Sequence, residues 1–239
     1  SEVGRAGVIL DEREQVKKII FHPRMMPSIV FLDPQLTVAL PANVTAATGM
    51  DALAHCLEAY CAPGLHPMAD GIAAEGVRLV REWLAEAVRD GGNLDARGGM
   101  LMAAMMGATA FQKGLGAMHA LSHPIGALYK THHGLTNAVL MPYVLQFNRT
   151  AIDGRLARLA GFAGLPRASF DALLDWVLEL RHELLIPHSL GEIGVTEDKL
   201  DQLALMAEAD PSAAGNPLPF GATEARRLLD RAMSGELAA

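Results

Sequence analysis

The histidines of this chain are unevenly distributed, and their spacing suits metal binding. Nine occur in 239 residues, and four of them lie between His119 and His133. His119 and His123 are four residues apart, as are Asp51 and His55, so each pair is predicted to lie on one helix face, one turn apart. Three neutral imidazoles and one carboxylate would form a mixed nitrogen and oxygen donor set that suits Zn²⁺ or Fe²⁺.

Neither helical pair is specific by itself. Packing or helix capping explains a His pair at this spacing more often than a metal does, and an Asp–His hydrogen bond within a helix is common. Four other histidines are expected at the surface, in loops or on polar faces: His22, His66, His182 and His188.

Motifs for other chemistries are missing or incomplete. His119 is followed by Ala120 rather than by the Glu of a metalloprotease HExxH motif. The glycines Gly114 and Gly116 follow no strand, and the pattern continues with His119 instead of a third glycine, so a dinucleotide-binding fingerprint is excluded there. The sequence contains neither a GxSxG nucleophile motif nor a GxxxxGK[ST] phosphate loop.

Composition excludes several classes of protein. A hydrophobic content of 51% excludes a disordered chain. A formal net charge of −7 without a basic cluster argues against a nucleic-acid partner. The longest near-apolar stretch, residues 99–111, is too short for a bilayer, and no signal peptide is visible, so we expect a cytoplasmic protein without a membrane partner. Cys56 and Cys61 should point to different faces of one helix, which argues against a disulfide.

The elements that must position these side chains are mostly helices. Short β-branched or aromatic runs at residues 7–10, 18–21 and 28–32 predict consecutive strands. After Pro41 the pattern becomes helical, which predicts a mainly α body of eight or nine helices. Their expected ranges are 44–60, 70–89, 94–113, a short helix from Met118, 134–148, 155–164, 169–183, 196–209 and 223–233.

Two of these helices carry a further expectation. The helix at 94–113 is so apolar, with four methionines between Met100 and Met106, that it is predicted to lie buried between others. Pro124 is predicted to strain or end the helix that begins at Met118.

Several segments together resemble the iron-dependent (group III) alcohol dehydrogenases. The first is TGMDALAH at residues 48–55, continued by EAY at 58–60. The second and more specific one begins with GAMHALSHPIG at 116–126 and continues through HG at 133–134 to Asn148. The closing Asn216-Pro217 is also similar to the family's C-terminal end.

The resemblance implies a fold and a division of the chain. Residues 42–239 would form an all-helical metal and substrate domain of the dehydroquinate-synthase-like fold. Residues 1–41 would be the last strands, incomplete here, of an α/β nucleotide-binding domain that holds the cofactor phosphates. We therefore expect the isolated chain to bind a metal but to bind nicotinamide cofactor negligibly and to be inactive alone.

The resemblance also implies a role for each matching residue. Four fall on the family's metal-ligand positions: Asp51, His55, His119 and His133. His123 falls on a second histidine near nicotinamide and substrate, to which proton movement is often assigned. Lys17 matches a lysine that reaches the cofactor ribose, and Val8 matches a strand position against the nicotinamide. The implied cofactors are Fe²⁺ or Zn²⁺ with NAD or NADP, and the implied partners are a small alcohol or aldehyde and further copies of the chain, as in a homo-oligomer or dimer.

Alternatives remain open at this point. Maleylacetate reductases share the fold but typically have Asn where this chain has Asp51, so Asp51 argues against them. Dehydroquinate synthase and glycerol dehydrogenase match the second segment less well. From a different class, the chain could be a non-catalytic module that binds metal or contacts other subunits.

Overall fold

The computed structural model describes residues 3–4, 6–14 and 16–237, without the side chains of residues 6, 16 and 17. This part of the chain folds into a β-hairpin followed by eight α-helices. This arrangement confirms the mainly α class. None of the described helices is both long and apolar enough to cross a membrane. The elements are β1 (Ala6–Asp11), β2 (Val16–Phe21), α1 (Ala42–Cys61), α2 (Pro67–Arg89), α3 (Leu94–Ala110), α4 (Ala117–Tyr129), α5 (His133–Phe162), α6 (Phe170–Glu183), α7 (Leu200–Glu208) and α8 (Ala222–Ser234).

The hairpin is antiparallel, and Val8 lies opposite Ile19 in its register. Asp11 closes the turn by accepting hydrogen bonds from the backbone N–H groups of Arg13 and Glu14, at 3.0 and 3.3 Å. Residues that face each other across an antiparallel pair point to the same side, so one face of the hairpin carries the Val8 and Ile19 side chains together. The predicted strands at 7–10 and 18–21 are confirmed.

The predicted third strand at 28–32 is wrong, because these residues have no regular structure. A strand requires a neighbour that completes its hydrogen-bond ladder, and in the described part of the chain only β1 and β2 pair. Ile29 and Phe31 are 72% and 87% exposed, so the apolar alternation of this segment finds no core here. The predicted division after residue 41 coincides with the start of α1, although the domain assignment stays a prediction.

The core of the helical body forms around α1, which packs against α2, α3 and α5. Small residues bring three of these helices close together at Cys56. A Cβ atom at Gly76 would lie 2.5 Å from the Cys56 sulfur, and one at Gly107 would lie 3.2 Å from it. Cys56 and Cys61 are free, as predicted. Both are buried, and burial raises the pKa of each thiol to about 12. Neither thiol is therefore reactive at neutral pH.

The expectation that α3 lies buried between other helices is wrong. Its inner face is made of small residues such as Ala103 and Gly107, which allow close contact with α1 and α2. Its outer face is partly solvent-exposed, and Met102 is 43% exposed there. The methionines of α3 therefore do not signal a helix enclosed by others.

Prolines do not end the helices that lead into the site. Helix α4 continues through Pro124 to Tyr129, and α5 continues through Pro142. Of the two effects expected of Pro124, an end to its helix is therefore wrong, and strain on the helix stays a prediction. A proline inside a helix costs about 3 kcal/mol, but both helices lie largely inside the core, whose packing outweighs this cost. Helix α5 also joins two helices that the sequence predicts separately, because Ile152 between them is buried in the core.

Candidate metal site

Three helices present the predicted site residues to one place. Asp51 and His55 lie on α1, His119 and His123 lie on α4, and His133 is the first residue of α5.

Gly134 is what allows α5 to begin so close to α1. A Cβ atom at this position would lie 2.2 Å from the backbone oxygen of Ala47 and 2.9 Å from the Asp51 Cβ. Only a residue without a side chain fits that approach. The HG pair at 133–134 therefore places His133 beside Asp51.

Asp51, His119 and His133 form a close group of potential ligands. Each offers one ligand atom, and these three atoms lie within 4.8 Å of one another. The side-chain nitrogen of Asn137 lies 3.3 Å from the Nε2 atoms of both His119 and His133, and it donates a hydrogen bond to Asp51 Oδ1 at 2.7 Å. Both imidazoles and the carboxylate are thus directed at one small region.

His55 lies beside this group rather than in it. Its Nε2 is 4.0 Å from Asp51 Oδ2, and its ring stacks on that of His119 with centroids 4.8 Å apart. Burial lowers the pKa of His55 to about 4 despite the opposing charge of Asp51. His55 is therefore neutral at physiological pH, which is the protonation state that a metal ligand needs.

Glu58 fixes the orientation of His119, a role that no motif in the sequence predicts. Its carboxylate is buried, with Oε2 2.7 Å from His119 Nδ1, while Oε1 accepts a hydrogen bond from the Met118 backbone at 2.7 Å. Burial lowers the pKa of His119, but the hydrogen bond and charge of Glu58 outweigh it, so the net pKa is raised. In the neutral imidazole the carboxylate keeps the proton on Nδ1, so Nε2 carries the lone pair toward Asp51. Glu58 lies seven residues after Asp51 on α1, a spacing that does not identify His119 as its partner.

His123 has a carboxylate partner of its own, Asp210, which no motif in the sequence predicts either. The His123 Nδ1 lies 2.8 Å from Asp210 Oδ2, and the ring stacks on His133 with centroids 5.5 Å apart. Burial raises the pKa of Asp210, but the hydrogen bond and charge of His123 lower it more, so the net pKa is lowered. His123 is not a member of the close group of ligand atoms.

A cleft of about 490 Å³ opens above these imidazoles, between the hairpin and the helices. Val8 lines it, whereas the Lys17 side chain lies outside the described part of the chain. Its polar lining is dominated by four histidines, His55, His119, His123 and His133. Its apolar lining consists of Val8, Ile19, Phe21, Phe111, Leu115 and Pro211.

The donor set fits iron or zinc. Imidazole nitrogens together with one carboxylate oxygen suit both ions, and neither cysteine takes part. The adjoining cleft leaves space for a further ligand, as catalytic metal sites require. Asn137 Oδ1 is buried and has no hydrogen-bond partner among the described residues, which marks this spot as polar and incompletely satisfied.

Comparison with known proteins gives a consistent result. Residues 45–233 match the Fe-containing alcohol dehydrogenase family, C-terminal. The chain is 43% identical to a 4-hydroxybutyrate dehydrogenase of Cupriavidus necator, with 98% of this chain and 63% of that protein covered. Among solved structures, a 1,3-propanediol oxidoreductase is similar with a TM-score of 0.92 and 34% identity, over 97% of this chain and 63% of that one. A sulfoacetaldehyde reductase from Bifidobacterium kashiwanohense in complex with NAD⁺ is similar with a TM-score of 0.89 and 26% identity, over 98% and 62%.

The chain thus spans less than two thirds of the length of these relatives, and nearly all of it is matched. Its family match covers most of the helical body, including α4 and α5 with their histidines. The chain belongs to the iron-containing alcohol dehydrogenase family.

Proposed function

We propose that this chain supplies the metal-binding and substrate-binding part of an alcohol dehydrogenase that transfers hydride between an alcohol and a nicotinamide cofactor. The observation that carries the proposal is the convergence of Asp51, His119 and His133 beside an apolar cleft. The relatives support it, since they are named as a dehydrogenase, an oxidoreductase and a reductase, and the reductase was solved with NAD⁺.

In this proposal Asp51, His55, His119 and His133 hold Fe²⁺ or Zn²⁺. When bound, the ion supplies a Lewis acid that polarises the oxygen of an alcohol or aldehyde. Glu58 keeps the His119 ring oriented through its Nδ1, and Asn137 fixes Asp51 through Oδ1. Such outer partners hold ligands in place before the ion arrives.

His123 moves the proton in the proposed reaction. Its Nδ1 is engaged by Asp210, so Nε2 is the ring nitrogen left for a substrate in the cleft that His123 lines. During alcohol oxidation Nε2 accepts the hydroxyl proton, and during aldehyde reduction it returns the proton. The apolar lining around it excludes water from the reacting atoms.

The remaining roles rest on the resemblance. We place Val8 against the nicotinamide, consistent with its position in the cleft lining, and Lys17 at the cofactor ribose. The substrate class is a small alcohol or aldehyde, with NAD or NADP as the cofactor. A cytoplasmic location, a homo-oligomeric state and the absence of a nucleic-acid or membrane partner stay predictions.

Metal titration tests the proposal at its base. Calorimetry with Zn²⁺ under anaerobic conditions, followed by elemental analysis, should find about one ion per chain, as a mononuclear site requires. His119→Ala should lose most of this binding, while the exposed His182→Ala on α6 should keep it. Equal binding by the wild type and His119→Ala would contradict the assignment.

Turnover tests the function itself. The chain can be joined to the N-terminal portion of the Cupriavidus necator relative that it does not cover, and NADH formation measured with 4-hydroxybutyrate and 1,3-propanediol. Metal-dependent turnover that His119→Ala abolishes and His182→Ala keeps is the expected result. Turnover that persists in His119→Ala, or that does not need metal, would contradict the proposed mechanism.

A further inference from the structure

Asp210 makes two well-defined hydrogen bonds from a nearly buried position. It follows α7 and opens the short 3-10 turn at Pro211–Gly215. Its Oδ1 accepts a hydrogen bond from the Ser212 backbone at 2.8 Å, while its Oδ2 lies 2.8 Å from His123 Nδ1. The side chains of His123 and Asp210 are only 10% and 9% exposed, so solvent competes little for this contact.

The segment that carries Asp210 is anchored to α4 at its other end as well. Asn216 Oδ1 accepts hydrogen bonds from the backbone N–H of Ala117, at 3.2 Å, and from the side-chain nitrogen of Asn148, at 2.8 Å. The Asn216 amide donates in return to Asn148 Oδ1 at 2.9 Å. Since Ala117 begins α4, the segment 210–216 contacts the first turn of that helix and His123 together, which holds Asp210 in place.

We propose that Asp210 is a positioning residue that sets the tautomer and orientation of His123. This inference rests on the proposed function, because only there does His123 exchange a proton with a substrate. An ionised carboxylate can only accept a hydrogen bond, so the proton of the neutral imidazole is on Nδ1. Nε2 then carries the lone pair on the side of the ring directed away from Asp210, which is the form that a general base needs.

One substitution separates this role from simple bracing of the segment. In Asp210→Asn the amide oxygen can still accept from the Ser212 backbone, so the turn is kept. The atom that faces His123 changes from an acceptor to an N–H donor, which moves the imidazole proton from Nδ1 to Nε2. Asp210→Glu restores an acceptor and should restore the original tautomer. A residue that only braces the turn would leave the tautomer unchanged in Asp210→Asn.

The experiment is long-range ¹H–¹⁵N NMR on the whole chain with ¹⁵N-labelled histidine and bound Zn²⁺, at about pH 8 so that exposed histidines are neutral. The His123 signals are identified by their loss in His123→Gln. We expect the Nδ1–H tautomer in the wild type and in Asp210→Glu, and the Nε2–H tautomer in Asp210→Asn, with zinc affinity unchanged in both variants.

Either of two tautomer results would overturn the inference. One is an Nε2–H tautomer of His123 in the wild type, and the other is an unchanged tautomer in Asp210→Asn. A loss of zinc affinity in Asp210→Asn as large as that in His119→Ala would also overturn it, because Asp210 would then act on the metal site. Failure of the proposed function is separate, since it would show as a wild type that does not bind zinc through His119.

Discussion

Large apolar side chains are exposed in the hairpin region, residues 6–40, but buried in the helical body that follows it. In the hairpin region Ile9, Phe21 and Phe31 are 50%, 60% and 87% exposed. In the helical body Leu53 and Val139, among many others, are fully buried. The helices therefore form a core that is complete in itself, whereas the hairpin contributes one wall of the cleft and little to the core. Stability and metal binding should depend on the helices, and association on the hairpin.

The largest expected effect comes from the contact between α1 and α5. Gly134→Ala places a Cβ against the backbone of α1, which cannot move aside as a side chain could. We expect a loss of about 3 kcal/mol in the free energy of unfolding, the upper range for overpacking, together with loss of zinc binding because His133 is displaced. Urea denaturation and calorimetric titration measure the two effects.

Gly154 is the matched control on the same helix. A Cβ there meets nothing within 4 Å, so Gly154→Ala should keep zinc binding and raise the free energy of unfolding by about 0.5–1 kcal/mol. If Gly134→Ala were as stable as Gly154→Ala, the close approach of α5 to α1 would be refuted.

The next effect concerns Glu58, which orients His119. In Glu58→Gln the amide oxygen can still accept from the Met118 backbone, but the amide nitrogen now faces His119 Nδ1 as a donor. The proton moves to Nε2, and zinc affinity should fall about 10- to 100-fold, as is typical for loss of such a partner. Glu179→Gln, at an exposed position, is the control. Equal zinc affinity of the two variants would show that Glu58 does not orient His119 for metal binding.

A third effect tests the core independently of the metal. Asp70 accepts a hydrogen bond from Lys113 Nζ at 2.6 Å and pairs with Arg155 at 2.9 Å, and the Lys113 side chain is only 3% exposed. Asp70→Asn leaves the Lys113 charge buried without its counter-ion. We expect a loss of about 2 kcal/mol, less than for a fully buried pair because Asp70 is partly exposed.

The pH dependence of stability sharpens this prediction. Burial raises the pKa of Asp70, but its hydrogen bonds with Lys113 and Arg155 lower it more, so the folded-state pKa lies below the ordinary value of an aspartate. Its stabilising contribution is therefore complete above the unfolded-state pKa and is lost as pH falls through the folded-state pKa. Urea denaturation at neutral and acidic pH measures how much unfolding free energy is lost on acidification. This loss should be smaller in Asp70→Asn than in the wild type, whereas the exposed control Asp198→Asn should lose as much as the wild type.

The smallest effect on stability is expected in the hairpin region. The double substitution Ile9→Thr and Phe31→Ser removes two exposed apolar side chains. It should change the free energy of unfolding of the helical body by less than about 0.5 kcal/mol. Self-association, followed by light scattering, should decrease because exposed apolar surface is lost. The contrasting variant is Val77→Thr in the core of α2, which should lose about 1–3 kcal/mol. A hairpin variant as unstable as Val77→Thr would show that the hairpin belongs to the core.

The sequence predicted the parts of this molecule that local patterns determine. The spacing of Asp51 with His55, and of His119 with His123, placed each pair on one helix, and the structure has them there. The strand predicted at 28–32 failed because pairing depends on a neighbour rather than on composition. Pro124 does not end its helix, because tertiary packing outweighs the local cost of a proline there.

The carboxylates that orient the site could not be found in this way. Asp210 lies 87 residues from His123 along the chain, and no periodic pattern links the two. Glu58 is 61 residues from His119, although it shares α1 with Asp51 and His55. Such pairings arise from the packing of α1, α4 and the segment after α7, so they become visible only once the helices are assembled.

We propose that Asp51, His55, His119 and His133 hold one metal ion, and the sharpest test of this ligand set is X-ray absorption spectroscopy of the zinc-loaded chain. These four ligands should give nitrogen and oxygen neighbours at about 2.0–2.2 Å, with the outer-shell scattering of about three imidazoles and no sulfur. The spectrum of the zinc that His119→Ala still binds should show the scattering of one imidazole fewer. A sulfur neighbour at about 2.3 Å, or a zinc environment without imidazole, would contradict this ligand set.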